Sequence, residues 1–300
     1  MKKIIPFLIL SFFLSSCFGP TELGSLKNPI KIFFTPSSNT GIIEESSSKK
    51  FVTYLEKETG LFFDVKVPAS YISVVEAFGS KRADIGIMNS FGYLLAHQKY
   101  GVTAGLRIIR FGKDFYRGQI VAREDSGINS LKDLNGKTFA FTDSSSISGY
   151  IFPLKMLMEN NVALKNKIFA ARHDNVINMV YQKQVDAGAT FNSDPSPDGA
   201  ITDARSLVIT QFPDVIKKIK IIALTENIPN DPIVFRSDLP ENIQTSFSKA
   251  IKKYLETEEG KKTFSKIYNF QGVVPAKDSD YDGLRQVLSK INLDLKGLVQ

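Results

Sequence analysis

The chain is poor in the residues that build metal and redox sites: it holds one cysteine, Cys17, and two histidines, His97 and His173, in 300 residues. One cysteine excludes an internal disulfide, and so few thiols and imidazoles argue against a zinc site. After the N-terminal segment no stretch carries eighteen apolar residues in a row, so nothing beyond residue 16 reads as a membrane-spanning helix. No Gly-x-Ser-x-Gly elbow occurs. Asn135-Gly136-Lys137-Thr138 lacks the upstream glycine of a P-loop. Ser46-x-x-Lys49 and Ser246-x-x-Lys249 match a short acyl-transfer motif, but nothing accompanies them. His173 and Asp174 are adjacent, a spacing that disfavours an Asp–His relay. These absences point away from an enzyme and from any cofactor or metal. The formal charge is +7, yet Lys and Arg are interleaved with Asp and Glu. Lys49-Lys50, Lys217-Lys218 and Lys261-Lys262 read as solvated helix faces, not a nucleic-acid stripe.

What is present begins with a targeting signal. Lys2 and Lys3 form a basic start, and Ile4 to Leu14 an apolar stretch too short to span a bilayer comfortably. Leu14-Ser15-Ser16-Cys17 matches the bacterial lipobox. That resemblance implies cleavage after residue 16 and a lipid on Cys17, although an ordinary signal peptide with a chance cysteine is the alternative. Residues 17–28 then form the anchor and a short polar tether. The expected product is exported and held at a bacterial membrane, with a soluble body long enough for two domains.

Along that body Ile30-Lys31-Ile32-Phe33-Phe34 alternates as a strand, and Ser46 to Thr59 has helical spacing that Gly60 stops. A strand at 62–67, a helix at 71–78, a strand at 83–88 and a helix at 93–98 follow. This β-α alternation predicts parallel sheets with helices packed on their faces. A second run begins near Gln119. Its segment Val185-Asp186-Ala187-Gly188-Ala189 echoes Ala83-Asp84-Ile85-Gly86-Ile87, which predicts two lobes built on one plan. Strands at 219–225 and 233–236 and helices at 241–256 and 258–268 come last.

The most informative stretch is Thr142-Asp-Ser-Ser-Ser-Ile-Ser-Gly149. It lies between the apolar strand Phe139-Ala140-Phe141 and a helical pattern from Tyr150 to Glu159. The first N–H groups of a helix have no partner inside it, and the helix dipole adds positive character there. Serine hydroxyls add donors, and Gly149 permits close backbone approach, so the turn suits an oxyanion. The plainer reading is that Ser144 or Ser146 is an N-cap.

Several segments together resemble a known family. They include Lys81-Arg82-Ala83-Asp84-Ile85-Gly86, the run from Ser130-Leu131-Lys132-Asp133-Leu134 to Phe141, and Ser146-Ile147-Ser148-Gly149-Tyr150 with Pro153. His173-Asp174, Val185-Asp186-Ala187-Gly188-Ala189 and Ile228-Pro229-Asn230-Asp231-Pro232 complete the set. In this order, over roughly residues 30–290, they look like phosphonate/phosphate-type substrate-binding proteins of ABC importers.

The resemblance implies the two-lobed α/β fold of type II periplasmic binding proteins, each lobe a mostly parallel sheet flanked by helices, with two crossover hinge segments. It assigns 29–117 and 226–300 to lobe 1 and 118–225 to lobe 2. The implied ligand is a small oxyanion, the implied partners are an ABC permease and ATPase, and the implied state is monomeric. The family's anion turn falls on Ser146, Ile147, Ser148 and Gly149, its pocket tyrosine on Tyr71 and its histidine on His173. An amine-reading acid falls near Asp194, and the aspartate of Ile-Pro-x-Asp-Pro on Asp231.

Departures accompany the match. Ile147 replaces a threonine, removing one hydroxyl; Arg172 stands where glycine is common; Met88 stands where an aromatic lines the cleft. For most of these residues a structural role competes: capping for the serines, a stiff turn for Asp231, loop initiation for Asp194, a half-buried core place for Tyr71. Met88, Phe91 and His97 read as structural. A ligand sensor or surface lipoprotein of the same fold, uncoupled from transport, is the alternative function, and an enzyme on this fold a more remote one.

Overall fold

The computed structural model describes residues 21–34, 45–68, 70–196, 198–268 and 270–291; the targeting segment and Cys17 lie outside them. The chain runs through β1 (Ile30–Phe34), α1 (Glu45–Thr59), β2 (Phe63–Lys66), α2 (Tyr71–Gly79), β3 (Ile85–Ile87), α3 (Ser90–Tyr100) and β4 (Thr103–Arg110). It continues through β5 (Phe115–Arg123), β6 (Thr138–Phe141), α4 (Phe152–Glu159), β7 (Asn166–Phe169), α5 (His173–Tyr181) and β8 (Ala187–Asn192). Next come α6 (Val215–Lys218), β9 (Ile219–Leu224), β10 (Ile228–Pro229) and β11 (Pro232–Phe235). The last elements are α7 (Glu241–Glu256), α8 (Glu258–Tyr268), β12 (Phe270–Pro275) and α9 (Asp282–Lys290).

Two sheets result. The first has the order β12-β4-β11-β3-β1-β2, and the second β10-β5-β8-β6-β7, with β9 also paired to β5. The β-α units give parallel pairs at β2-β1-β3 and at β7-β6-β8. The remaining pairs are antiparallel, because β4, β5, β10 and β11 join the sheets end to end across the crossover. Both sheets are therefore mixed, with a larger antiparallel share than the β-α alternation predicts. The chain passes from β4 to β5 through residues 111–114 and returns from β10 to β11 through 230–231, and β5 and β10 pair as Tyr116 with Ile228 and Phe115 with Pro229. The type II periplasmic-binding-protein architecture is thus present, with two passages of chain between its halves.

The echo between residues 83–87 and 185–189 is structural. Asp84 Oδ2 accepts from the Lys31 N–H at 2.8 Å, and Asp186 Oδ2 from the Thr138 N–H at 2.7 Å. Each aspartate thus pins the central strand of its half's parallel trio, β1 in the first sheet and β6 in the second. Each also follows, three residues on, a lysine in the left-handed region, Lys81 at φ 55° and Lys183 at φ 61°.

Local chemistry explains the helices. Ser70 accepts from the Ser73 N–H to start α2; Asn89 accepts from the Gly92 N–H at 2.6 Å to start α3, which Gly101 ends at φ 66°. In α7 Ile243, Phe247, Ala250, Ile251, Tyr254 and Leu255 form one buried stripe on the first sheet. Phe51 and Phe264 interlock there, edge to face at 5.0 Å. A second apolar cluster is continuous across both halves: Ile147, Ile151 and Phe152 share it with Val74, Phe91, Met88 and Leu284.

Candidate functional site

The stretch 142–149 leaves β6 and turns into α4, and the structure decides which serine caps it. Ser146 Oγ accepts from the Gly149 N–H at 3.1 Å. The first turn is widened: Ile147–Ile151 forms a π-turn, with the Phe152 N–H donating to the Ile147 carbonyl, and the α-helix proper begins only at Phe152. The N–H groups of Ile147 and Ser148 precede the first intrahelical bond and remain available as donors. Upstream, Asp143 Oδ1 accepts from the Ser145 N–H at 2.9 Å and from its hydroxyl at 2.5 Å, which folds the loop back on itself.

Gly149 is required sterically, not conformationally. A β-carbon there would stand 2.1 Å from Thr142 Oγ1 and 2.9 Å from Ser146 Oγ. The Thr142 side chain is fully buried beneath the turn, and its hydroxyl has no hydrogen-bond partner among the described residues. An unpaired buried hydroxyl carries a cost that a ligand or water would relieve.

Around this turn the structure gathers residues from both halves. Tyr71, the first residue of α2, lies near the Ser145 hydroxyl, and burial raises its phenol above the usual value. Phe91 packs edge-on against the Tyr71 ring at 6.3 Å. Ser148 is buried, and its hydroxyl lies near the phenol of Tyr116 on β5. Tyr116 lies within electrostatic reach of Asp231 and Arg110, and burial shifts its phenol far upward. Arg110 Nη2 is 2.7 Å from Asp231 Oδ2. Sequence reasoning missed both Tyr116 and Arg110, since neither belongs to a motif; each stands next to the β4–β5 passage.

His173 opens α5. Its Nδ1 accepts from the Phe191 N–H at 3.3 Å, so the neutral ring carries its proton on Nε2. Burial lowers its pKa to about 4, against the pull of Asp143 and Asp174 toward the charged form. Asp174 is instead engaged by Arg172 at 3.0 and 3.1 Å, so no Asp–His relay forms between these two neighbours. A histidine whose folded pKa lies below its ordinary 6.5 contributes stability that is complete above about pH 6.5 and is lost as the pH falls toward 4. Thermal melts between pH 7.5 and pH 4.5 should therefore show a larger fall in Tm for the native protein than for His173→Gln, by roughly the few degrees expected of a kcal/mol-scale effect. Equal falls would remove His173 as the titrating group.

The other candidates divide. Ser146, Ile147, Ser148, Gly149, Tyr71, His173 and Asp231 converge on one region. Asp194 stands apart: Arg117 Nη1 approaches it at 3.9 Å, its carbonyl accepts from Thr202, and among the described residues no bond connects it to the turn. The side chain of Ile147 is buried in the cluster shared by the halves, so it packs and leaves its N–H to the turn. Met88 and Phe91 are core residues, and His97 Nδ1 pairs with the Val102 carbonyl at 2.8 Å. Among the described residues no group of acidic, cysteine or histidine side chains could hold a metal ion, and no helix is long and apolar enough to cross a membrane.

Hydroxyl and N–H groups, a neutral imidazole and a paired carboxylate thus lie near one another at this turn. Comparisons with known proteins bear on the chain as a whole. Residues 34–281 match the family model described as the periplasmic substrate-binding protein of phosphonate ABC transporters. The chain is 28% identical over 296 residues to the phosphate-import protein PhnD of Mycolicibacterium smegmatis, covering 91% of this chain and 90% of that one. It is 26% identical over 245 residues to the phosphonates-binding periplasmic protein of Escherichia coli K12, covering 76% and 69%. A crystal structure of a Prochlorococcus marinus protein in complex with methylphosphonate shares the fold, with a TM-score of 0.67 at 18% identity over 88% of this chain and 98% of that one. The chain therefore belongs to the family of periplasmic substrate-binding proteins of phosphonate ABC transporters, binding proteins and not enzymes.

Proposed function

We propose that the protein captures a phosphorus oxyanion, a phosphonate, phosphite or phosphate, between its two halves and delivers it to an ABC permease. The observation that carries this reading is the Ser146–Gly149 turn: N–H groups at a helix start, serine hydroxyls beside them, and Tyr71, Tyr116 and His173 facing them from other elements. The names of the M. smegmatis and E. coli relatives, which specify phosphate and phosphonates, support the ligand class. In this reading Ser146, Ser148, the Ile147 N–H, Tyr71 and the His173 Nε2–H donate to the oxyanion, and Asp231 accepts from it. Neutral donors replace the ligand's water shell, and their number and geometry set selectivity. Residues 29–117 with 226–300, and 118–225, move as two lobes about the β5–β10 ribbon, and closure over the ligand creates the form that the permease recognises. Lipidation at Cys17 tethers this monomer at the membrane.

The test is a calorimetric and thermal-shift panel on protein lacking residues 1–17, with phosphate, phosphite, methylphosphonate, aminoethylphosphonate, sulfate and small organic acids. A tight ligand raises Tm by mass action. A phosphorus oxyanion should produce the largest rise, and Ser148→Ala should weaken its binding by about 1–3 kcal/mol, the cost of a lost buried donor. If a non-anionic solute stabilises the fold and no phosphorus oxyanion does, the ligand class is wrong. Aminoethylphosphonate binding unaffected by Asp194→Ala would establish that Asp194 reads no amine.

A further inference from the structure

The chain just before the first strand is folded onto the body. The Thr21 carbonyl accepts from Asn28 Nδ2 at 2.9 Å, the Gly24 N–H donates to the Asn28 carbonyl at 2.8 Å, and the Asn28 N–H donates to the Ser25 carbonyl at 3.0 Å. This turn is fastened to the first sheet. The Phe62 N–H donates to the Gly24 carbonyl at 2.8 Å, and the Ile30 N–H to the Phe62 carbonyl at 2.9 Å. Leu23 packs against the core of that sheet, and a β-carbon on Gly24, at φ 87°, would stand 2.9 Å from Leu61 Cδ2. Residues 21–28, expected as part of a tether, thus belong to the folded body.

Three residues, 18–20, separate Cys17 from Thr21. The four Cα–Cα steps between them span at most about 14 Å when fully extended. The headgroup layer on each side of a bilayer takes up about 5–8 Å. A body anchored by lipid at Cys17 therefore holds Thr21 within about 10 Å of the headgroup surface. What the turn presents there is apolar. Leu26, at its tip, is 74% exposed, the most exposed large hydrophobic side chain among the described residues. Phe62, bonded to the same turn, is 39% exposed. The exposed charges of the turn are one of each sign, Glu22 and Lys27. Such side chains are unfavourable in water and favourable at the boundary between headgroups and acyl chains.

We infer that Leu26 and Phe62 form a membrane-docking surface: with lipid on Cys17, this edge of the first sheet lies on the bilayer and the two side chains enter the headgroup boundary. The inference depends on the proposed lipidation of Cys17. Tyr71 follows the opposite end of β2, so the docked body keeps the proposed ligand seat toward water. Handing a ligand to a permease then requires the edge to lift.

The experiment uses the lipoprotein purified from membranes, with mass spectrometry of its N-terminal peptide to detect the lipid. It is reconstituted in phosphatidylcholine vesicles that carry a headgroup quencher; a neutral lipid suffices because the turn has no excess charge. Cys17 is the chain's one native cysteine, and in the lipidated protein its sulfur carries the lipid, so a fluorophore labels one introduced cysteine at a time. Leu26→Cys and Phe62→Cys probe the edge. Val67→Cys, 42% exposed and about 16 Å further along β2, and Ile168→Cys, 38% exposed in the second sheet, are the comparison. Quenching at 26 and 62 should exceed that at 67 and 168 by at least about threefold, since contact with the quencher is confined to the headgroup layer. A label at Lys27→Cys should lose at least about half of its quenching when Leu26→Ser and Phe62→Ser are added, because the polar pair no longer holds the turn in the boundary. Equal quenching at all four positions, or quenching at Lys27→Cys that the two serines leave unchanged, overturns the docking surface and leaves the anchor standing. Shielding of the 26 and 62 labels that is present in detergent and grows with protein concentration assigns the edge to a second copy of the chain and equally overturns it. Absence of lipid on Cys17 overturns the anchor and the inference with it.

Discussion

Replacing Gly149 with alanine should cost about 1–3 kcal/mol of stability, as overpacking does in a closed interior, and should weaken oxyanion binding by at least about tenfold, the equivalent of one misplaced donor. The new methyl group would sit 2.1 Å from Thr142 Oγ1 and 2.7 Å from Thr142 Cγ2. Thr142 is buried and cannot swing clear, so the strain must move the turn. Moving the turn shifts the N–H groups of Ile147 and Ser148 and breaks the Ser146 cap together. Gly283 provides the contrast. It lies in the first turn of α9, and a methyl group there would meet no described atom within 4 Å. Gly283→Ala should therefore be neutral or stabilising by up to about 1 kcal/mol through helix propensity. Urea unfolding and calorimetry on the two variants separate the cases. Native stability and affinity in Gly149→Ala would show that Thr142 yields, and Thr142→Ala combined with Gly149→Ala should recover stability if it does not.

Loss of Asp203 should be the more damaging change to the fold, at about 3–5 kcal/mol, the cost of leaving a buried charge without its partner. Asp203 and Arg205 are 4% and 12% exposed, and Arg205 Nη2 donates to Asp203 Oδ2 at 2.7 Å. Asp203 Oδ1 also accepts from the Arg205 N–H at 2.8 Å and from Gln119 Nε2 at 3.4 Å. Gln119 donates as well to Thr190 Oγ1 at 3.1 Å, and its Oε1 accepts from Asn192 Nδ2 at 3.0 Å. Arg205 reaches on to the Ile219 carbonyl at 3.0 Å. One carboxylate thus holds a loop to β5, β8 and β9 beside the passage between the halves. Asp203→Ala strands Arg205 and breaks this network; removing both charges with Asp203→Ala and Arg205→Met should cost less than the sum of the single changes. Urea midpoints measure the difference. An additive double variant would mean that the ion pair contributes little and that packing alone places the loop.

Neither Asp203 nor Gln119 attracts notice in the sequence. A polar residue in an apolar strand signals a buried network only when its partner is known, and the partner here lies 84 positions away. The same limit hid Tyr116 and Arg110. Tyr116 reads as an ordinary strand residue, and Arg110 as one of many scattered cations, until tertiary packing sets Tyr116 near Ser148 and the β4–β11 pairing sets Arg110 beside Asp231. By contrast, α7 and α8 fall at 241–256 and 258–268 as their periodicity predicts, because an amphipathic stripe is a local property. Strands β4, β7 and β12 carried no comparable signal. All four residues of β7 are exposed, so no buried face patterned them, and the other two are held through antiparallel partners distant in sequence.

The turn at residues 142–149 shows the division most clearly. Its residue types, its place between strand and helix and its need for a glycine are all visible in Thr142–Gly149, because capping and helix-start chemistry act over a few residues. Tertiary structure alone decided that Ser146 is the cap, that the first turn widens to π geometry and that Gly149 is needed to clear Thr142. It also decided the charge of the surroundings: a neutral His173, and an Asp231 already matched by Arg110. Electrostatics and packing act through space, and sequence order carries no record of which residues two crossing strands will bring together.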